Sequence, residues 1–155
     1  MNTKVECTIA APIETIWKLW TEPQHMIKWW YISDHWNIIN VENDLRTGGQ
    51  FKISMIAKKG DTSFDFEGLY THVEEYKEIE YCINKRKIKI MFSENGNATI
   101  ITKVFEEGKL QSFEDQKNGW EMMLDNFKKY VKAVNSKKIS STILFDWTEL
   151  LIPVF

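Results

Sequence analysis

Two cysteines in 155 residues are too few for a disulfide framework, and Cys7 and Cys82 stand far apart with no metal-ligand spacing. Each sits inside an alternating, strand-like stretch, so each reads as a small buried hydrophobe in a reducing compartment. No run reaches the roughly eighteen apolar residues that span a bilayer, which excludes a membrane-crossing helix. The opening MNTKVECTIAAP lacks the continuous apolar stretch of a secretory leader, and the expected location is the cytoplasm. Basic charge is also short. A net charge of −2 offers no stripe to neutralise phosphates, so no nucleic-acid partner is expected. The one basic run, NKRKIK (84–89), reads as a solvated turn between two strands.

The engines of common enzymes are missing too. There is no Walker-type glycine loop, no His-Glu-x-x-His, no Cys-x-x-Cys and no Gly-x-Ser-x-Gly. His25, His35 and His72 show no ligand spacing and read as surface or boundary residues. No catalytic residue, metal or cofactor is assigned.

Aromatic side chains, by contrast, are plentiful: 14% of the chain, with seven Trp. Each hides on the order of 150–250 Å² when buried, so either the core is ring-rich or some rings line a binding surface. The rest of the composition, 43% hydrophobic and 27% charged, is ordinary for one soluble domain.

The patterning is clear along most of the chain. KVECTIA (4–10) alternates as a half-buried strand. Pro12 suits the first position of a short helix carrying Ile13, Ile16, Trp17 and Trp20, and Pro23 opens a second with Met26, Ile27, Trp29 and Trp30. From residue 36 the period changes to two. HWNIINVEN, GGQFKISMIAK, TSFDFEGLYTHVEE, EIEYCIN, KIKIMFSE and NATIITKVFEE follow as strands, with KKGD, NKRK and ENGN as hairpin turns. Connections this short force antiparallel neighbours. A helix follows from about 112 to 138. Its Trp120, Met123, Leu124, Phe127, Tyr130, Val131 and Val134 make one apolar stripe. Acidic residues near its start and lysines near its end suit the helix dipole.

The economical packing is α+β: a curved antiparallel sheet of about seven strands wrapped on the long C-terminal helix, with two short helices after strand 1 closing one end. In this helix-grip arrangement Gly48–Gly49 forms a tight turn or bulge into the sheet. Gly68 marks a bend or a close neighbour within its strand. The domain is taken as 1–138. Residues 139–155 form an atypical hydrophobic tail in which Ile143, Trp147, Leu150, Leu151 and Val154 share a face and Pro153 stops any helix. Such a tail either packs on the domain, inside its cavity or on a second copy as a homodimer contact, or is an accident of the reading frame with no role.

These segments resemble the START-like, Bet v 1-like (SRPBCC) superfamily, and within it the family similar to the activator of heat-shock-protein-90 ATPase. The likeness covers about residues 1–134. It rests on APIETIWKLWTEPQHMIKWW, DLRTGGQF, FDFEGLYTHVEE and NGWEMMLDNFKKYV, with Pro12, Trp20, Thr21, Pro23, Trp29, Trp30, Asp44, Arg46, Gly48, Gly49, Phe51, Gly119, Trp120, Leu124, Asp125, Asn126 and Tyr130 in the family's pattern. The tail departs from that pattern. The resemblance implies the helix-grip fold, which hosts many functions.

Three functions are weighed. The first is a module binding a small hydrophobic ligand between sheet and helix, its pocket built from Trp30, Phe51, Ile53, Met55, Phe66, Tyr70, Trp120, Met123, Leu124 and Phe127. Against it, these side chains are large and tend to fill space. The second, which the resemblance suggests, is a co-chaperone-like domain with a chaperone as partner. The third, a cyclase- or hydrolase-type enzyme, needs a titratable group on the concave face and ranks last. Asp65 and Glu67 share a strand face but read as solvent-facing. Asp44 and Arg46 read as an ion pair pinning the turn before Gly48. Asn126, at the edge of the stripe, reads as bonding a neighbouring loop.

Overall fold

Strand alternation puts every other residue on one face, and this chain uses that device seven times. The computed structural model describes residues 2–30, 35–60, 62–106 and 113–151 and, in the last stretch, the side chains of 117–136. The elements are β1 (Asn2–Ile9), α1 (Ile13–Thr21), α2 (Pro23–Trp29), β2 (Trp36–Asn43), β3 (Gln50–Ala57), β4 (Ser63–Glu74), β5 (Glu78–Ile83), β6 (Arg86–Asn95), β7 (Ala98–Glu106) and α3 (Phe113–Leu151). The sheet order is β1-β7-β6-β5-β4-β3-β2, every pair antiparallel. β2 to β7 form a meander, and β1 joins the β7 side. The short helices therefore carry the chain from one edge of the sheet to the other. This is the α+β layout expected from the sequence.

The turns show why the meander folds this way. Asn84 and Lys85 both adopt left-handed backbone (φ 49° and 65°) between β5 and β6. That two-residue turn has the twist its flanking strands need. The basic run is a turn only at Asn84 and Lys85, since its remaining residues begin β6 and Ile88 among them is buried. The step into β3 is held from three sides. Arg46 Nε donates to both carboxylate oxygens of Asp44, at 3.1 and 3.0 Å. Gly48 takes φ 89°. The Gly48 amide donates to the Tyr70 carbonyl at 2.8 Å and the Tyr70 amide to the Gly49 carbonyl at 2.9 Å. Gly68 is required by a close approach, since a Cβ there would lie 2.3 Å from the Phe51 ring.

α3 lies over β1 and against α1 and α2. Trp120, Met123, Leu124, Phe127 and Val131 form its buried stripe. Phe127, wholly buried, meets Trp20 and Trp29 edge-on at 4.8 Å each. The Trp29 indole donates to the Leu19 carbonyl at 2.9 Å, so its one polar atom is satisfied inside the core.

Several details differ from the sequence reading. Pro12 is the cap before α1, in extended backbone, and Ile13 is the first helical residue. Pro23 does open α2. Cys7 and Cys82 are free and half-buried rather than buried, because each lies on a strand with partial cover. Phe64, near the open end of β4, is 40% exposed. The backbone of α3 runs on past Lys138 to Leu151. The packing of Ile143, Trp147, Leu150, Leu151 and Val154, and the stop at Pro153, lie outside the described residues.

Candidate functional site

Residues directly opposed on neighbouring strands share a face of the sheet. Val5 pairs with Lys103, Lys103 with Ile90, and Ile90 with Ile79. All four are buried. One inward row of the sheet thus reads Val, Lys, Ile, Ile, and the lysine is 1% exposed.

The Lys103 Nζ lies 3.2 Å from the centroid of the Trp120 ring of α3. Burial pulls its amine well below the ordinary lysine value, and no charge among the described residues offsets that pull. A cation over an indole gains about 0.5–2 kcal/mol, less than the several kcal/mol of solvation that an ammonium loses in a protein interior, so burial favours the uncharged amine.

Lys103 lines a partly open cavity of about 20 Å³. That is room for about one water. Its apolar walls come from Trp20, Met26 and Trp30 at the short helices and from Phe51, Ile79 and Ile90 on the sheet. Its polar lining is Thr21, Asn43, Tyr70, Tyr81 and Lys103. The Tyr70 hydroxyl donates to Asn43 Oδ1. Asn43 Nδ2 donates to the Thr21 carbonyl at 2.7 Å, satisfying an acceptor that the end of α1 leaves open. Both bonds fix which way the Asn43 amide points. Burial raises the phenols of Tyr70 and Tyr81, so both remain hydroxyl donors at neutral pH. Phe51 stands between them, 5.2 Å from Tyr70 and 5.1 Å from Tyr81.

Of the pocket residues expected from the sequence, Trp30, Phe51 and Tyr70 line this cavity. Phe66 is half-buried and leans on Trp30 at 4.9 Å. Ile53 and Met55 are fully buried farther along β3. Trp120 carries the amine of Lys103, and Met123, Leu124 and Phe127 complete the buried stripe of α3. Sequence reasoning missed Lys103, Tyr81, Asn43 and Thr21. The signal was present, since Thr99, Ile101, Lys103 and Phe105 alternate onto one face of β7.

Asp65 and Glu67 are exposed, so they contribute no carboxylate pair to the cavity. His72 meets Glu74 and Glu78 at the surface, with ligand atoms all within 4.8 Å of one another. Lys77 at 3.3 Å from Glu74 and Lys89 at 3.0 Å from Glu78 already neutralise those carboxylates, so the group reads as a surface ion-pair network. No helix among the described residues is long and apolar enough to cross a membrane.

A curved seven-stranded antiparallel sheet, a long C-terminal helix and two short helices after the first strand define the START-like class. The chain belongs to the family described as activator of Hsp90 ATPase homolog 1-like protein, which matches residues 10–132. An AHSA1-like protein from Aeromonas hydrophila is similar at 31% identity, over 87% of this chain and 94% of that one, with a TM-score of 0.82. A protein from Cytophaga hutchinsonii is 40% identical over 86% of this chain and 93% of that one, TM-score 0.73. A protein from Nitrosomonas europaea shares the fold at 19% identity, over 88% and 97% of the two chains, TM-score 0.77. No curated protein matches the chain.

Proposed function

We propose that this domain binds a small, largely apolar molecule carrying a hydrogen-bond-accepting group, held between the sheet and the helices. The observation that carries this reading is the group of buried polar side chains, Lys103, Tyr70 and Tyr81, that line one largely apolar cavity, with the Tyr70 hydroxyl held by Asn43. A core serving stability alone gains little from an amine there, because the contact with the Trp120 ring, worth about 0.5–2 kcal/mol, offsets only part of the cost of taking an amine out of water. The resting space of about 20 Å³ is smaller than any organic ligand. Binding therefore displaces a wall, and the Met26 thioether chain is the wall best suited to move. Each Å² of apolar ligand surface buried would contribute roughly 25 cal/mol.

Trp20 and Trp30 line the cavity and report on it. A tryptophan fluorescence titration with 1-hexanol and a panel of lipidic and aromatic compounds is expected to give a saturable change for at least one of them. Uniform silence across the panel contradicts the reading.

A second reading is a protein-interaction domain of the kind the family description names. Ile39, 55% exposed on edge strand β2, and Phe64, 40% exposed and edge-on to Trp36 at 4.8 Å, favour it. Failure to recover the heat-shock-protein-90 chaperone in a pull-down with purified proteins would dismiss it.

A further inference from the structure

We propose that Lys103 captures a carbonyl compound covalently, as an imine, so that the ligand class of the cavity is an apolar aldehyde or ketone. The inference rests on the cavity reading above and deepens it. Its geometric basis is the position of the amine. Lys103 lies on the inward row of the sheet and lines the cavity, its Nζ is against the Trp120 ring, and no carboxylate is among the cavity's polar lining. An amine held this way presents a lone pair, which is what a carbonyl carbon requires. The surroundings agree, because burial favours the uncharged amine.

The reaction balances within the site. The amine nitrogen adds to the carbonyl carbon and gives a carbinolamine. Its C–O bond then breaks, and the oxygen leaves as water with the two protons that began on the amine. Tyr81 is the cavity hydroxyl that relays those protons, since the Tyr70 hydroxyl donates to Asn43 and the Thr21 hydroxyl to the Trp17 carbonyl. Its raised phenol keeps it in the donating form. No redox partner is needed, and hydrolysis reverses the capture.

The test uses the full chain with hexanal, 1-hexanol and hexanoate, three probes alike in tail and different in head. Protein is incubated with limiting hexanal, reduced with borohydride and mapped by peptide mass spectrometry. Lys103 is expected to be the first residue to gain the aldehyde less one oxygen atom, ahead of exposed lysines such as Lys77. Lys103→Met is expected to lose that adduct, with circular dichroism verifying its fold. The map on the unmodified sequence decides the matter even if the variant fails to fold. Adducts confined to exposed lysines, while 1-hexanol still gives a saturable fluorescence change, overturn the imine and leave the cavity reading standing. Tighter binding of hexanoate than of hexanal overturns it in favour of an anion site. No response to any of the three sinks both readings.

Discussion

Trp20 has neighbours of two opposite kinds. On one side it meets Phe127 at 4.8 Å and Trp29 at 4.6 Å, in a region of rings where the Trp29 indole nitrogen is bonded to the Leu19 carbonyl. On the other side it walls a cavity into which Asn43, Tyr70, Tyr81 and Lys103 bring polar groups. The first region holds sheet and helices together, since each ring pair adds about 0.5–1.5 kcal/mol beyond burial. The second spends stability on a buried amine. Two regions with similar apolar walls therefore differ in their polar lining, and on the proposed reading that lining serves a ligand.

Mutations should expose that difference by sign. Phe127→Ala removes the ring at the centre of the first region and is expected to lower stability by about 3–5 kcal/mol, read from the urea midpoint. Lys103→Met should go the other way, raising stability by about 1–3 kcal/mol, because it keeps the volume and removes a polar group whose burial the Trp120 contact offsets only in part. That gain also depends on pH. The folded amine gives up its proton at pH values where the unfolded one still holds it. Unfolding therefore takes up a proton, and wild-type stability rises with pH from the depressed folded value to about 10.4, the value of a free lysine. The advantage of Lys103→Met is largest at the low end of that window and shrinks toward its top. Paired thermal melts at rising pH check this, and a constant gap would remove the uncharged amine from the account.

Gly68→Ala probes the wall between the regions. Its new Cβ would press on the Phe51 ring, and a loss of about 1–3 kcal/mol in chemical denaturation is expected. The smallest effect belongs to Arg46→Ala. Its ion pair with Asp44 is solvent-exposed at both ends, so the cost should stay within about 1 kcal/mol and fade in high salt.

The first region was largely legible in the sequence, and the second largely was not. Ring residues at helical and strand spacing announce a core, so Trp20, Trp29 and Phe127 could be placed inside from pattern alone. The turns at Asn84 and Gly96 and the close approach at Gly68 were legible for the same reason, because few residue types satisfy those backbones. Lys103 was hidden by a reasonable expectation: lysines almost always face water. The alternation of β7 pointed inward, and the residue type argued outward. At this position the strand pattern prevailed, because Val5 and Ile90 on either side leave the side chain no other face. The Asn43–Tyr70 bond joins residues 27 positions apart, and no local pattern announces such a pair. The backbone of α3 reaches Leu151, past the Lys138 boundary at which the sequence reading separated a hydrophobic tail from the domain.

The most direct test of the central claim is an amide NMR titration with 1-hexanol that maps where the probe sits. Saturable shifts concentrated at Thr21, Asn43, Phe51, Tyr70 and Tyr81 are the expected result. Shifts scattered over the surface, or gathered at the Ile39 and Phe64 edge with the cavity silent, would contradict it.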